Sequence, residues 1–321
     1  MAVLLLTQPQ PPEPVAAALR ALDPALALAT SLDGIDPATV DCLVAYRLPA
    51  DLLPRLTGLR LLCAASSGVD KLLATPGLPH DLPVVRVVDA LQSAQIAQYV
   101  LGQAIAHVRG FARYREQQAR AHWQRHAPPA FGSSRASVLG LGQVGEPVAR
   151  LLAAAGFAVT GWSRSPRRLD GLDGLNGLGS PDGLACCHGA EGLATALGQA
   201  EVVVCTLPLT PLTAGLLDAE RLGLMAPGAL LINVGRGELV DDAALWALLR
   251  EGRLGGAVLD VHRQEPLPPQ SPAWSVPGLT LTPHIASQPS AQAIAHSVVQ
   301  SLHCLQAGLP LPHLVVRQRG Y

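Results

Sequence analysis

The sequence predicts an α/β protein built on parallel sheets, and three observations support this fold class. Short apolar runs alternate with helical stretches along most of the chain, which is the pattern of parallel strands joined by crossover helices. The length of 321 residues is sufficient for two domains. Hydrophobic residues make up 49% and charged residues 15%, so the chain can bury a large core, which argues against global disorder.

The first ninety residues contain four predicted strands and one helix. Each predicted strand is a short apolar run, and the helix follows the first strand. The strands are expected at residues 3–6, 43–46, 59–64 and 84–88, and the helix at residues 14–22.

Residues 92–125 contain no proline, and Ile96, Tyr99, Val100 and Gln103 recur at helical spacing, which predicts one long helix. The proline- and glycine-containing stretch 127–132 ends this helix and indicates a linker.

A second alternating series of strands and helices begins at residue 137. Residues 170–184 form a Gly-Leu-rich patch with little side-chain mass, so we expect a surface loop there. The last helix is expected at residues 290–307. Strands are expected near residues 158–162, 202–205, 229–234, 256–260 and 279–282.

Composition and charge exclude several classes of protein. The net charge of −1 lacks the positive excess of a dedicated nucleic-acid binder. No apolar run reaches the ~18 residues that a membrane span needs. The apolar N-terminus has no basic region before it, which indicates a buried strand rather than a secretion signal. The six cysteines show no zinc-site spacing, so we expect no metal and a cytoplasmic location. Lysine occurs once, at Lys71, against 22 arginines, so a single arginine carries little weight.

A glycine-rich turn follows the strand at residue 137. Gly140, Gly142 and Gly145 form the pattern G-x-G-x-x-G after an apolar run and before a predicted helix at 144–155. Such glycines permit a tight turn and let the backbone approach a pyrophosphate, which binds the free N–H groups of the helix N-terminus. We therefore predict a dinucleotide site. The alternative is a βα turn tightened by glycine that binds no ligand.

The end of the following strand distinguishes between the two nicotinamide cofactors. A ribose 2′-hydroxyl is usually bound by an acidic residue at this position, whereas a 2′-phosphate needs a cation. Here Ser163 stands where the acid is expected, and Arg164 and Arg167 follow it. This arrangement favours NADP(H), with NAD(H) as a possible second cofactor. The alternative is that these arginines are ordinary surface cations.

Three ionisable residues follow three successive predicted strands. Arg236, Glu265 and His284 lie beyond strand ends, where open α/β sheets bind their ligands. Together they suit the reduction of a 2-keto acid. A histidine can protonate the alkoxide, a carboxylate can orient the imidazole, and an arginine can hold the substrate carboxylate. Singly, they could be a surface cation, a turn acid and a capped loop histidine.

Four ordered motifs resemble one known family. Residues 140–145 (GLGQVG), 233–240 (NVGRGELV), 259–268 (LDVHRQEPLP) and 282–286 (TPHIA) are similar to the signatures of the D-isomer-specific 2-hydroxyacid dehydrogenases. Residues 162–165 (WSRS), 271–274 (SPAW) and 319–321 (RGY) resemble, in particular, the bacterial branch that reduces glyoxylate and hydroxypyruvate.

The resemblance implies two Rossmann-like domains with parallel sheets. Residues 1–92 and 288–321 would form a discontinuous, flavodoxin-like substrate domain, into which a dinucleotide-binding domain of residues 93–287 is inserted. It also implies a homodimer packed through the cofactor domain and the segment before it, including Trp123.

The resemblance places the catalytic roles on Arg236, Glu265 and His284, in agreement with the chemistry above. The expected cofactor contacts are Gly140, Gly142, Gln143, Val144, Gly145, Ser163, Arg164, Ser165, Leu207, Pro208, Val234, Gly235 and Asp260. The expected substrate contacts are Ser67, Gly68, Tyr46, Arg236 and Trp274.

The expected function is NADPH-preferring reduction of glyoxylate or hydroxypyruvate, with His284 as the general acid. Gln98 replaces an acidic residue common in the family, and the segment 287–290 is one residue short, so the preferred substrate stays open. One alternative is an NAD-dependent dehydrogenase of a bulkier 2-keto acid. Another is a dinucleotide-sensing protein without turnover.

Overall fold

The chain folds into two compact units in a computed structural model that describes residues 1–49, 51–167, 169, 185–318 and 320. One unit combines Met1–Gln92 with Gln288–Tyr321, and the other comprises Ser93–Ser287. The loop expected at 170–184 lies outside the described residues, as do residues 319 and 321 of the C-terminal motif.

The unit that contains both chain ends has five parallel strands among its described residues. Their order across the sheet is β2-β1-β3-β4-β5. The strands are β1 (Ala2–Leu6), β2 (Ala27–Ala29), β3 (Cys42–Ala45), β4 (Leu61–Ala64) and β5 (Val84–Val85), and the helices are α1 (Glu13–Leu22), α2 (Asp70–Leu73) and α9 (Ala291–Ala307).

This sheet is buried on both faces, as parallel sheets usually are. Successive residues of β3 point to opposite faces: Cys42 and Val44 enter one hydrophobic cluster, and Leu43 and Ala45 enter the other. Helices α1 and α9 pack against the first of these faces. This covering explains why the strands are apolar along their whole length.

The second unit contains seven parallel strands among its described residues. Their order is β12-β11-β10-β9-β6-β7-β8. The strands are β6 (Arg135–Leu139), β7 (Ala158–Ser163), β8 (Ala185–His188), β9 (Val202–Cys205), β10 (Leu230–Asn233), β11 (Gly256–Leu259) and β12 (Leu279–Leu281), and the helices are α4 (Phe111–Ala119), α5 (Gly145–Ala154), α6 (Gly189–Gln199), α7 (Ala219–Gly223) and α8 (Asp242–Arg250), with most of α3 (Ala90–Val108).

The central strand β9 shows how this sheet is covered. Val202 and Val204 join the cluster that contains residues of α3 and α5, whereas Val203 and Cys205 join the cluster on the opposite face. The predicted fold class, two parallel-sheet domains of Rossmann type, is therefore confirmed. The carboxyl ends of the seven strands share one edge, where the candidate residues lie.

Some predicted elements were wrong in detail. The single helix expected at 92–125 is two helices, because Gly110 adopts a left-handed backbone (φ +64°) between α3 and α4. The chain from residue 120 to 130 is not helical. The strand expected at 84–88 has only two residues, and strands β2 and β8 had not been expected.

Among the described residues, no helix is both long enough and apolar enough to cross a membrane.

Candidate active site

The glycine-rich turn between β6 and α5 depends on glycine at two positions. Gly140 has a left-handed backbone (φ +96°), and its N–H donates to Trp162 O at 2.8 Å. A Cβ on Gly145 would lie 1.7 Å from Gly140 O, which is impossible without moving the backbone. These two glycines therefore bring the start of α5 directly against the end of β6.

The middle glycine of the turn has a different surrounding. A Cβ on Gly142 would meet no atom within 4 Å, and both Gly142 and Gln143 are exposed. Helix α5 begins beside them, and its N-cap residue, Val144, makes no side-chain hydrogen bond to the first N–H groups of the helix. An open backbone next to uncapped helical N–H groups suits a pyrophosphate, so these residues fit a dinucleotide.

The loop after β9 packs against this turn. Thr206 Oγ1 donates to Gly140 O at 2.8 Å and lies 3.1 Å from Leu139 O. A Cβ on Gly235 would lie 2.7 Å from Leu207 O, so the loops after β9 and β10 also pack directly. The glycine-rich turn, Leu207 and Gly235 therefore lie close together. The prediction that all of them contact one cofactor requires this proximity.

Pro208 and Val234 complete these two loops through backbone contacts. Pro208 O accepts a hydrogen bond from Thr213 Oγ1 at 2.6 Å. Val234 N donates to Cys205 O at 3.1 Å. Both residues therefore lie beside Leu207 and Gly235 at the carboxyl edge of the sheet, where their predicted cofactor contacts would be made.

The end of β7 carries arginines and no carboxylate. Ser163 Oγ donates to Ser165 O at 2.8 Å, which fixes the first turn after the strand. Arg167 forms an ion pair with Glu146 at 3.4 Å. Arg164 is exposed and, within the described residues, makes no ion pair. Its guanidinium is therefore accessible to an anionic ligand.

Arg236 is held by the side chain of Asn233, which sequence reasoning did not single out. Asn233 is buried, its Nδ2 donates to Arg236 O at 2.8 Å, and its Oδ1 accepts from Gly235 N at 3.0 Å. A Cβ on Gly237 would lie 2.2 Å from the carbonyl carbon of His262. The Arg236 loop is therefore packed against the segment that leads to Glu265.

Glu265 and His284 form a direct pair. Glu265 Oε2 lies 3.2 Å from His284 Nδ1, and Glu265 Oε1 accepts from His262 N at 3.0 Å. The His284 side chain is 43% exposed and that of Glu265 only 22%. The carboxylate is thus fixed behind the imidazole and can accept a hydrogen bond from Nδ1–H, which leaves Nε2 for proton transfer.

Asp260 has its carboxylate oxygens engaged within the protein. It is 1% exposed; Oδ1 accepts from Ile285 N at 2.8 Å and from Thr282 Oγ1 at 2.6 Å, and Oδ2 accepts from Ala286 N at 2.9 Å. These bonds hold the loop that carries His284. The expected contact of Asp260 with the cofactor stays a prediction.

Three other expected substrate residues, Ser67, Gly68 and Tyr46, follow strands of the first unit. Ser67 Oγ donates to Gln92 Oε1 at 2.6 Å, and Ser66 Oγ donates to Gly68 O at 2.7 Å. Tyr46 follows β3 directly and is half-buried, and this burial raises the pKa of its hydroxyl, so the group keeps its proton at neutral pH. All of these residues lie at the carboxyl ends of β3 and β4.

Trp274 belongs to the second unit and is largely exposed. Its Nε1 donates to Pro268 O at 2.9 Å, which ties the Trp274 turn to the segment after Glu265. No group of three His, Cys, Asp or Glu side chains that could hold a metal occurs in the part of the chain that the structure describes.

Comparison with known proteins identifies the family. Residues 101–286 match the model of the D-isomer specific 2-hydroxyacid dehydrogenase NAD binding domain. Glyoxylate/hydroxypyruvate reductase A of Serratia proteamaculans (strain 568) is 35% identical over 279 residues, which cover 85% of each chain.

Solved structures also match the whole chain. A D-isomer specific 2-hydroxyacid dehydrogenase from Xanthobacter autotrophicus Py2, in complex with NADPH and MES, has a TM-score of 0.90 and 37% identity, covering 100% of this chain and 99% of its own. The NADPH-dependent glyoxylate/hydroxypyruvate reductase SMc02828 from Sinorhizobium meliloti, with NADP and sulfate, has a TM-score of 0.89 and 31% identity over 100% of both chains. The chain therefore belongs to the D-isomer specific 2-hydroxyacid dehydrogenases, a family of NAD(P)-dependent oxidoreductases.

Proposed function

We propose that this chain is an NADPH-preferring reductase of small 2-keto acids, which converts glyoxylate to glycolate and hydroxypyruvate to D-glycerate. The observation that carries the proposal is the His284–Glu265 pair, with 3.2 Å between Nδ1 and Oε2, in the same unit as the glycine-rich turn. A protein that only sensed a dinucleotide would have no use for an acid with an orienting carboxylate.

The proposed mechanism assigns one task to each side chain. A bound nicotinamide supplies the hydride that adds to the keto carbon of the substrate. His284, held by Glu265, donates a proton from Nε2 to the oxygen that becomes the hydroxyl. Arg236 binds the substrate carboxylate and polarises the keto group. Ser67, Gly68, Tyr46 and Trp274 are retained as proposed substrate contacts, the first two through their backbone N–H groups.

The proposed preference for NADPH rests on the end of β7. Residues 163–167 carry two arginines and no carboxylate, and Arg164 is exposed. A guanidinium suits a 2′-phosphate, whereas the usual acidic acceptor for a 2′-hydroxyl is missing. Three structural relatives contain NADPH or NADP, which agrees with this preference.

The proposed substrates come from the named relatives and from the chemistry of the candidate site. Initial rates with glyoxylate, hydroxypyruvate and the bulkier phenylpyruvate, each with NADPH and NADH, test the assignment. We expect the highest kcat/KM for a two- or three-carbon acid with NADPH. Faster turnover of phenylpyruvate with NADH would instead support the alternative of an NAD-dependent dehydrogenase for bulkier acids.

We also propose that two copies associate through the segment around α4. This helix has no buried residue, and Phe111, Trp123 and Phe131 are 45%, 95% and 70% exposed. Exposed aromatic groups of this size are typical of a protein interface. Light scattering should give the mass of a dimer for the wild type and a lower mass for Trp123→Glu; an unchanged mass would place the interface elsewhere. The cytoplasmic location stays a prediction.

A further inference from the structure

A chain of three side chains connects the long helix α3 to the loop that carries His284. Tyr99 lies in α3, and its hydroxyl is 2.7 Å from Thr282 Oγ1. Thr282 Oγ1 in turn lies 2.6 Å from Asp260 Oδ1. Tyr99 and Thr282 are 183 positions apart in the sequence, so the fold alone brings these hydroxyl groups together.

The chemistry of the three groups fixes the direction of these hydrogen bonds. A carboxylate can only accept, so Thr282 gives its single hydroxyl proton to Asp260. Thr282 Oγ1 must then accept its second bond from the Tyr99 hydroxyl. Burial raises the pKa of Tyr99, which keeps this donor protonated at neutral pH.

This series of hydrogen bonds ends on backbone groups on both sides of His284. Asp260 accepts from Ile285 N and Ala286 N, which follow the histidine. Thr282 O, which precedes it, accepts from His284 N at 3.0 Å. Between these anchors, His284 has φ +57°, a left-handed backbone that L side chains rarely adopt. Such a conformation persists only where its surroundings hold it.

A second histidine supports the same anchor. His262 Nε2 lies 3.0 Å from Thr282 O, and because a carbonyl only accepts, Nε2 carries the proton. The backbone N–H of His262 donates to Glu265 Oε1. His262 therefore connects the segment that holds Glu265 to the segment that holds His284.

We infer that Tyr99 and Thr282 are positioning residues, which act through Asp260 to hold His284 in the geometry that meets Glu265. They do not touch the reacting atoms. This inference rests on the proposed reduction for its effect on rate, whereas its effect on the His284 loop can be measured on the protein without cofactor.

The test compares hydroxyl-deleting variants with a variant that keeps the hydroxyl. Tyr99→Phe and Thr282→Val each remove one hydroxyl with little change in volume, and Thr282→Ser retains it. Thr195→Val is a matched control, because its hydroxyl donates to Glu191 O within α6, outside this series of hydrogen bonds. Circular dichroism and thermal unfolding verify that each variant is folded.

Two readouts are measured on each variant. The first is amide hydrogen exchange at Ile285 and Ala286 in the protein without cofactor, which reports opening of the loop. We expect exchange to rise roughly two- to tenfold in Tyr99→Phe and Thr282→Val, the range that one hydrogen bond supports, and to stay unchanged in Thr282→Ser and in the Thr195→Val control.

The second readout is steady-state reduction together with NADPH affinity. We expect kcat to fall roughly two- to tenfold in Tyr99→Phe and Thr282→Val, from the same range, with KM and the Kd for NADPH within twofold of wild type. Because both residues act through the same series of hydrogen bonds, kcat of the double variant should be no lower than that of Thr282→Val alone.

The outcomes separate this inference from the proposed function. Wild-type exchange at Ile285 and Ala286 in folded Tyr99→Phe and Thr282→Val, with unchanged kcat, would overturn the inference and leave the proposed function intact. If exchange rises in Tyr99→Phe and Thr282→Val but the wild-type protein reduces no 2-keto acid, the positioning role is supported and the proposed function is overturned. Equal losses in Thr282→Ser and Thr282→Val would also overturn the inference, because the hydroxyl would then be irrelevant.

Discussion

At the scale of single residues, position separates two arginines from the other twenty. Arginine is the usual cation of this chain, so its presence alone means little. Arg236 differs because the buried Asn233 holds its backbone at the end of β10. Arg164 differs because it stands exposed at the end of β7, where a carboxylate would select NAD. Both interpretations rest on location in the sheet.

Arg164→Ala tests the proposed selection of NADPH. Removing the guanidinium should weaken NADPH binding about tenfold or more, since a charge-assisted contact to a phosphate typically contributes roughly 1.5–3 kcal/mol, while binding of NADH stays unchanged. The measurement is the ratio of kcat/KM for the two cofactors. Arg20→Ala, an exposed arginine in α1, is the matched control. An unaltered ratio in Arg164→Ala would refute the assignment of the phosphate contact to this residue.

The sequence located the individual site residues better than the network that holds them. Glu265 and His284 could be grouped because both follow strands whose carboxyl ends share one edge. Tyr99 and Thr282 gave no such signal, because their contact joins a helix to a distant loop. The hydrogen bonds of Asp260 to the His284 loop gave no signal either, since a strand end alone does not show which partners a buried carboxylate finds.

At the scale of secondary-structure elements, the glycine-rich turn combines two different demands for glycine. Gly145 is required by the fold, since a Cβ would lie 1.7 Å from Gly140 O. Gly142 has open space around it and is required, in our interpretation, by the ligand. A glycine-to-alanine substitution is therefore expected to have different consequences at these two positions.

Gly145→Ala and Gly142→Ala should therefore separate stability from binding. Gly145→Ala should lower the thermal unfolding midpoint by several degrees, because a backbone clash of this size costs at least about 1–3 kcal/mol. Gly142→Ala should leave the midpoint within about 2 °C and weaken NADPH binding, because its methyl group enters the space for the pyrophosphate. Calorimetry and fluorescence titration measure the two effects. Unimpaired NADPH binding in Gly142→Ala would contradict the assigned pyrophosphate position.

The elements that the sequence missed are short or interrupted by glycine. Strand β2 has three residues and β8 has four, too few for an alternating pattern to stand out. The helical spacing at residues 96–103 ends before Gly110, and the absence of proline up to residue 125 extended the predicted helix beyond it. A glycine in the left-handed conformation can interrupt a helix without a proline to mark the end.

At the scale of the whole molecule, alternation of strands and helices predicted parallel sheets, and the resemblance to a known family added their division into two domains. Buried parallel strands are apolar throughout, and the crossover helices between them leave a clear pattern in the sequence. The glycine-rich turn, Arg236, Glu265 and His284 lie in one unit, and Ser67 and Tyr46 lie in the other. The family assignment agrees with this organisation.

Replacing His284 shows whether this side chain supplies the proton in reduction of a 2-keto acid. The rate of glyoxylate and hydroxypyruvate reduction by His284→Ala is compared with its NADPH affinity, beside His296→Ala, an exposed histidine of α9, as the control. We expect a rate loss of about 10²–10⁴-fold, typical of a missing general acid, with NADPH binding within twofold of wild type. Undiminished turnover in His284→Ala would show that His284 is not the general acid.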